Sequence, residues 1–192
     1  MTKEIWKPGN MLYPLPAVLV TVVDALGNEN VLTIAWTGTI NSDPAMVYIS
    51  VRPSRYSYHM LEETGEFVIN LTTKELARAT DYCGVRSGRK EDKFKAMHLT
   101  KMPAKYVKAS LIEESPINIE CKVVKTEKLG SHTMFMAEVL VVHADSKYMN
   151  EKKMFSLEQA NPIVYSHGNY YLLGEKIGKF GYSVQKNKKR RK

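Results

Sequence analysis

Cysteine is scarce in this chain: Cys83 and Cys121 are the only two in 192 residues. Their separation matches no metal-ligand spacing, and one pair cannot make a disulfide framework. Reduced thiols and a cytoplasmic location are therefore expected. No run of roughly 18 apolar residues occurs, so no membrane span is expected. The opening Met-Thr-Lys-Glu-Ile-Trp-Lys-Pro is polar and lacks the apolar centre of a signal peptide. Asn70-Leu71-Thr72 fits a glycosylation acceptor, but without secretion that pattern carries no meaning. Several chemical motifs are missing as well. No strand leads into Gly-x-Gly-x-x-Gly, and Gly174, Gly178 and Gly181 have the wrong spacing for a dinucleotide fingerprint. There is no phosphate-loop motif, no His-Glu-x-x-His and no Gly-x-Ser-x-Gly. Hydrolytic and metal-dependent chemistry thus have little to stand on.

Negative charge is also in short supply, with 20 acidic against 28 basic residues and a net charge of +8. The excess is not spread over the chain. The last eight residues, Gln-Lys-Asn-Lys-Lys-Arg-Arg-Lys, carry six positive charges and no negative ones, which leaves +2 for the rest. Nucleic-acid proteins usually carry their charge on a folded face with interleaved aromatics. A terminal charge block reads instead as a disordered, solvated tail, and nucleic acid is not the expected partner. The organisation is thus one folded domain over 1–184 followed by a basic tail at 185–192. A chain of this length normally makes one domain and hides roughly 70% of its unfolded surface.

What is present is mostly strand-like. Val18, Val20 and Val22 alternate within Ala17–Asp24, and Leu26–Asn30 supplies turn residues before Val31. Glu66–Leu71 has strand composition. Ile117–Thr126 and Met134–Ala144, joined through Lys128–Ser131, read as a long hairpin. Ile163–Tyr165 and Tyr170–Leu173 are shorter candidates. Helices are few. Thr72-Thr73-Lys74-Glu75 has the capping-box pattern before Leu76, Ala79, Thr80 and Cys83, with Gly84 placed to end the helix. Ser57–Glu63, closed by Gly65, is a second helix, and Asp92–Met97 is a third candidate. Many unequal antiparallel strands with a few short helices predict a mainly β fold, a barrel rather than a doubly wound sheet.

The stretch Asn30–Ser57 carries the most chemistry. Two strand-like runs, Val31–Thr37 and Met46–Val51, flank a turn rich in Gly, Asn, Ser, Asp and Pro. Small hydroxylic residues end each run, and Arg52, Arg55, Tyr56 and Ser57 follow the second. Backbone amides and hydroxyls can hold a phosphate, an arginine can grip it with two parallel hydrogen bonds, and Trp36 or Tyr56 can cover a ring. That set suits a phosphorylated, planar, partly apolar ligand.

Trp36-Thr37-Gly38, Ser42-Asp43-Pro44 and Arg52-Pro53-Ser54-Arg55-Tyr56-Ser57 resemble the flavin reductase-like, FMN-binding split-barrel family, with flavoredoxin-type proteins nearest the pattern. Glu66–Leu71, Cys83–Phe94 with its Ser-Gly-Arg and Asp-Lys-Phe, Leu129–Thr133 and Tyr170–Gly174 extend the resemblance over about residues 8–182. It implies a split β-barrel, bound FMN and a homodimer. The function implied is electron transfer, either as a reductase drawing transiently on NAD(P)H or as a carrier serving a redox partner protein. The rival class is a non-enzymatic flavin-binding module whose basic tail contacts a partner or nucleic acid.

The resemblance also implies site residues. Ala35, Trp36, Thr37 and Gly38 would meet the phosphate and ribityl chain, the plainer reading of Trp36 being a core aromatic. Ser50, Val51 and Arg52 would offer backbone groups and positive charge to the ring's polar edge, the plainer reading of Arg52 being a solvated cation. Tyr56 and Ser57 would lie at the phosphate, with Ser57 also a natural helix cap. Ser87 and Lys93 would also contact the cofactor, Lys93 as the phosphate's charge partner, against the plain reading of Lys93 as one more basic residue in a charged loop. His132, in the Gly-Ser-His-Thr turn, could hydrogen-bond the ring or assist a proton transfer near neutral pH; a turn histidine in water is the alternative. No certain catalytic residue and no metal ligand stand out. Deleting Gln185–Lys192 is expected to leave folding and FMN affinity nearly unchanged, because the tail holds charge but no packing residues. Thermal melts and fluorescence titrations of the truncated chain check this, and loss of flavin would mean that the tail docks on the body.

Overall fold

The structure is a computed structural model and describes residues 2–185. All but the first residue of the predicted basic tail therefore lies outside the described residues. Fifteen α-helices and β-strands follow in chain order among the described residues. The first half holds β1 (Leu15–Pro16), β2 (Val18–Val23), β3 (Glu29–Ile34), β4 (Thr37–Ser42), β5 (Ala45–Val51), α1 (Ser57–Thr64) and β6 (Glu66–Leu71). The second half holds α2 (Ala77–Val85), α3 (Lys93–Ala96), β7 (Lys101–Met102), β8 (Leu111–Ile112), β9 (Ile117–Lys128), β10 (Thr133–Ala144), β11 (Ile163–Ser166) and β12 (Asn169–Leu172).

Seven of the strands form one antiparallel sheet in the order β3-β2-β6-β9-β10-β5-β4. Its two edges, β3 and β4, are consecutive in the chain and joined by Ala35 and Trp36 alone. Six strand spacings would set those edges about 29 Å apart in a flat sheet, whereas three peptide steps reach about 11 Å. The sheet must therefore roll until its edges meet, which makes the barrel. The corner is fastened by Ser50, whose N–H donates to the Trp36 carbonyl at 2.9 Å. The predicted run Val31–Thr37 is thus two strands with a corner between them. The predicted turn is mostly β4, and only Asp43 and Pro44 separate it from β5. Thr39 to Ser42 are exposed, so β4 shows none of the apolar alternation that would mark a strand.

β2 explains how the core divides. All six of its residues are buried, and alternate side chains point to opposite faces. Val18, Val20 and Val22 pack inside the barrel with Phe67, Ile49 and Phe135. Leu19 and Val31 face outward and are covered by Leu76, Ala79 and Cys83 near and on α2 and by Phe94 on α3. Val23 and Val68 lie under Val107, Ala109 and Leu111. α1 ends as expected at Gly65, whose φ of 61° suits glycine. α2 runs through Gly84 to Val85, so that glycine does not stop it. Asp92 caps α3, its carboxylate accepting from the N–H groups of Phe94 and Lys95.

Side chains of the sheet also hold the irregular segment between α3 and β8. Asn70 accepts from Ile112 N–H at 3.0 Å and from Asn118 Nδ2 at 2.7 Å. Glu29 accepts from Ser110 N–H at 2.7 Å, and Glu66 from Lys108 N–H at 3.0 Å. Glu120, fully buried on β9, accepts from the N–H groups of Lys105, Tyr106 and Val107 at 2.7, 2.6 and 3.1 Å and pairs with His143 at 2.6 Å. Burial alone would raise the Glu120 carboxyl; these hydrogen bonds outweigh it and hold it below the ordinary carboxylate value.

A depressed carboxyl stabilises the fold above its unfolded value, and that contribution is lost as pH falls through the folded value. Glu120→Gln should cost about 2–4 kcal/mol at pH 7, because an amide presents a donor to donors already buried. Urea denaturation at pH 7 and at acid pH should show the gap between wild type and variant narrowing as the wild-type carboxylate protonates.

Candidate functional site

Two cavities of about 520 and 540 Å3 open beside the β3–β4 corner. They share Leu32, Thr33, Arg52, Arg55 and Gly84 and so form one continuous cleft. Its floor is the edge strand β3, with Asn30, Leu32 and Ile34 from the inner face and Thr33 from the outer one, and α2 lies across it. Gly84 sits over Thr33, where a Cβ would stand 3.3 Å from the Thr33 Cβ. The Thr33 hydroxyl donates to the Thr80 carbonyl, which ties the strand to the helix.

The first cavity is cationic. Arg52, Arg55, Arg86, Arg89 and Lys93 line it, and no carboxylate does. Its inner end is built from buried polar groups. Asn30 Nδ2 donates to Ser57 Oγ at 2.7 Å. Lys93 is 3% exposed and donates to the carbonyls of Cys83 at 3.1 Å and Arg86 at 3.3 Å. Burial pushes the Lys93 ammonium down to about 8, and the Arg55 guanidinium adds to the effect. An ammonium has three N–H donors, so one remains for a ligand. Burial likewise pushes the neighbouring Cys83 thiol up to about 11, so it is a thiol at neutral pH.

The second cavity is the aromatic one. Trp36 and His132 lie on its wall with ring planes 5° apart and centroids 6.3 Å apart. Burial, then the charges of Arg52 and Arg55, lower the His132 value, so the imidazole is neutral near pH 7. Ser131 Oγ lies 2.9 Å from His132 Nδ1. Tyr165 and Tyr170, on β11 and β12, close the far side. Tyr170 is raised to about 12 by burial and by Asp81, the carboxylate facing this cavity.

The structure gathers most of the sequence-predicted residues on this cleft. Ala35, Trp36, Ser50, Val51, Arg52 and His132 line the aromatic end, and Arg52, Tyr56, Ser57, Ser87 and Lys93 line the cationic end. Thr37 and Gly38 lie on neither wall. The Thr37 hydroxyl is buried and donates to the Tyr48 carbonyl at 2.6 Å, and Gly38 packs against the Tyr48 ring. Ser57 is not the helix cap; Tyr56 holds that position without a side-chain bond, and the Ser57 hydroxyl is taken by Asn30. Sequence reading did not single out Asn30, Thr33, Arg89 or Tyr170. Of these, Arg89 and Tyr170 had a local signal, the Ser-Gly-Arg run and the Tyr170–Gly174 stretch.

The donor set suits an elongated ligand with a phosphoryl group at one end and a flat ring at the other. A family model for the flavin reductase like domain matches residues 11–174. An uncharacterized protein of Archaeoglobus fulgidus is 35% identical over 147 residues, 76% of this chain and 82% of that one. Among solved structures, flavoredoxin of Desulfovibrio vulgaris (Miyazaki F) superposes with a TM-score of 0.89 at 28% identity, covering 96% of this chain and all of the other. Flavoredoxin from Methanosarcina acetivorans gives 0.85 at 25% identity with the same coverage. The chain belongs to the flavin reductase-like family, and its barrel is the split barrel of that family.

Gly88 makes the cationic end sensitive to a single methyl. A Cβ there would stand 2.4 Å from Asn30 Oδ1 and 2.8 Å from Tyr56 Cδ1. Gly88→Ala should displace Asn30 from Ser57 and cost about 1–3 kcal/mol, read as a lower denaturation midpoint. Gly27→Ala is the comparison with no such clash: it meets nothing within 4 Å, and its cost comes from its φ of +88° alone.

Proposed function

We propose that this protein binds FMN in the cleft and transfers electrons through it, as a flavin reductase drawing on NAD(P)H or as a flavoredoxin-type carrier. The observation that carries the reading is the continuity of a carboxylate-free cationic cavity with an aromatic one at shared residues. The similarity to flavoredoxins supports it.

Lys93 and Ser57, buried at the inner end, would hold the phosphate. Trp36 would cover the ring, and Ser50 and Val51 would present backbone groups to its polar edge. Arg52, shared by both cavities, would favour an electron-rich ring. Neutral His132 is suited to accept or give a hydrogen bond there, and the Ser131 hydroxyl beside its Nδ1 accommodates either tautomer. Bound flavin would supply the electron-transfer chemistry itself, and the protein supplies binding, orientation and field. A homodimer fits this reading, because Val124, Leu129, Leu140 and Val142 of the β9–β10 hairpin are exposed apolar residues. Steady-state NAD(P)H oxidation with added FMN tests the activity: turnover supports a reductase, and tight FMN without turnover supports a carrier.

Lys93 gives the sharper test. Lys93→Ala should weaken FMN about ten- to a hundredfold, the worth of one charge-assisted contact, and leave riboflavin, which has no phosphate, nearly unaffected. The pH dependence follows the same logic. A bound phosphate favours the ammonium and raises its value above about 8. FMN affinity should then fall as pH rises through about 8, by up to about tenfold per unit, while riboflavin affinity stays flat. Fluorescence titration of both ligands at pH 7 and 9.5 checks this, and equal losses would remove the phosphate assignment.

A further inference from the structure

Bound FMN would use one wall of the aromatic cavity, where Trp36, Ser50 and Val51 stand. The far side is left over. It is built from α2 and the β11–β12 hairpin. Tyr165 and Tyr170 are direct cross-strand partners there, their ring centroids 5.8 Å apart. His167 and Gly168, at φ of 48° and 83°, make the two-residue turn that fixes this register. Tyr13 props the hairpin, packing on Tyr165 at 6.1 Å and on the His167 ring at 4.3 Å. Asp81 reaches the cavity from the face of α2 that also carries Gly84 and Val85. Among the described residues it is the one carboxylate on the walls of either cavity. It is exposed, and no cation among the described residues lies within ion-pair distance of it. It accepts a hydrogen bond from the Tyr170 hydroxyl at 3.5 Å. A carboxylate has about four acceptor positions, so most of that capacity is left for a ligand. The cavity is therefore polarised. Arg52 and Arg55 stand where it joins the cationic cavity, and Asp81 stands with the tyrosines at the far side.

We propose that Asp81, beside the Tyr165–Tyr170 pair, is a specificity-determining residue for a second planar ring that binds next to FMN. It selects rings whose head group is a neutral or cationic N–H donor, such as a carboxamide or an amidine, against rings that bear a carboxylate. The inference rests on the FMN reading above. The tyrosines supply ring faces for stacking. Asp81 supplies an acceptor, and an N–H donated to an ionised carboxylate makes one of the stronger hydrogen bonds. A carboxylate brought to the same place would meet like charge at close range. Were Arg52 and Arg55 to govern the cavity instead, the order of preference would be the reverse.

Benzamidine, benzamide and benzoate are the probes, one planar ring with a cationic, a neutral and an anionic head of similar size. Each is titrated by calorimetry into the FMN-saturated protein, and the visible flavin spectrum is recorded to place the probe beside the ring. Benzamidine should bind at least about tenfold more tightly than benzoate, with benzamide between them. The span should shrink as salt rises. Asp81→Asn should bring the three probes within about threefold of one another. Thermal melts confirm that the variant folds. Glu75→Gln is the charge control: it removes an exposed carboxylate just before α2 that lies on neither cavity wall, and it should leave the span intact. A smaller span in the wild type, a span that survives Asp81→Asn, one that Glu75→Gln removes as well, or no spectral response to any probe overturns the assignment. The probes are compared on one FMN-saturated sample, so a change in FMN affinity leaves their ratios untouched. FMN titration of the flavin-free chain reports on the earlier reading alone, and failure there is seen separately from failure at Asp81.

Discussion

Everything in this fold follows from a two-residue connection. Ala35 and Trp36 join the outermost strands of a seven-stranded sheet, and a chain so short can do so only if the sheet closes on itself. Closure creates an interior that Val18, Val20, Val22, Phe67 and Phe135 fill. It also leaves β2 and β3 with an outer face that needs cover, which α2 and α3 provide. The cleft is the gap that this cover leaves at the corner. Trp36 is at once the residue that turns the corner and a wall of the aromatic cavity, so the closure of the barrel and the placement of the ligand end are one event.

The sequence was legible wherever one face of an element meets the core and the other does not. α1 and β10 show that contrast, and their expected bounds lie within a few residues of the observed ones. β4 does not show it. Its outer half is solvent-exposed on an edge, so Gly38 to Ser42 look like a turn. Gly84 misled for the opposite reason: it serves a close approach between helix and strand, which composition cannot distinguish from a helix stop.

The cleft was partly legible. Arg52 to Ser57 and Ser87 to Lys93 are local runs rich in cations and hydroxyls, and both reach the cationic end. Asn30 and Thr33 share β3 and Tyr170 lies on β12, and no local pattern assigns them to the cleft. By charge alone Lys93 looked like one of several surface cations beside Arg89 and Lys90, and only the family resemblance set it apart. Its burial depends on the end of α2 folding over it, with the Cys83 and Arg86 carbonyls as partners. That is a tertiary fact with no counterpart in the local sequence.

The segment fastened by Glu120 has an unusual tolerance written into it. Lys105, Tyr106 and Val107 are gripped through their main-chain N–H groups and not through their side chains. At Lys105 and Tyr106 the identity of the side chain is nearly irrelevant to the grip, and only at Val107 does packing add a demand. The one residue type excluded from all three positions is proline, which has no N–H to offer. Variation along this stretch should therefore be wide in charge and size yet closed to a single imino acid, a constraint imposed from β9, far along the chain.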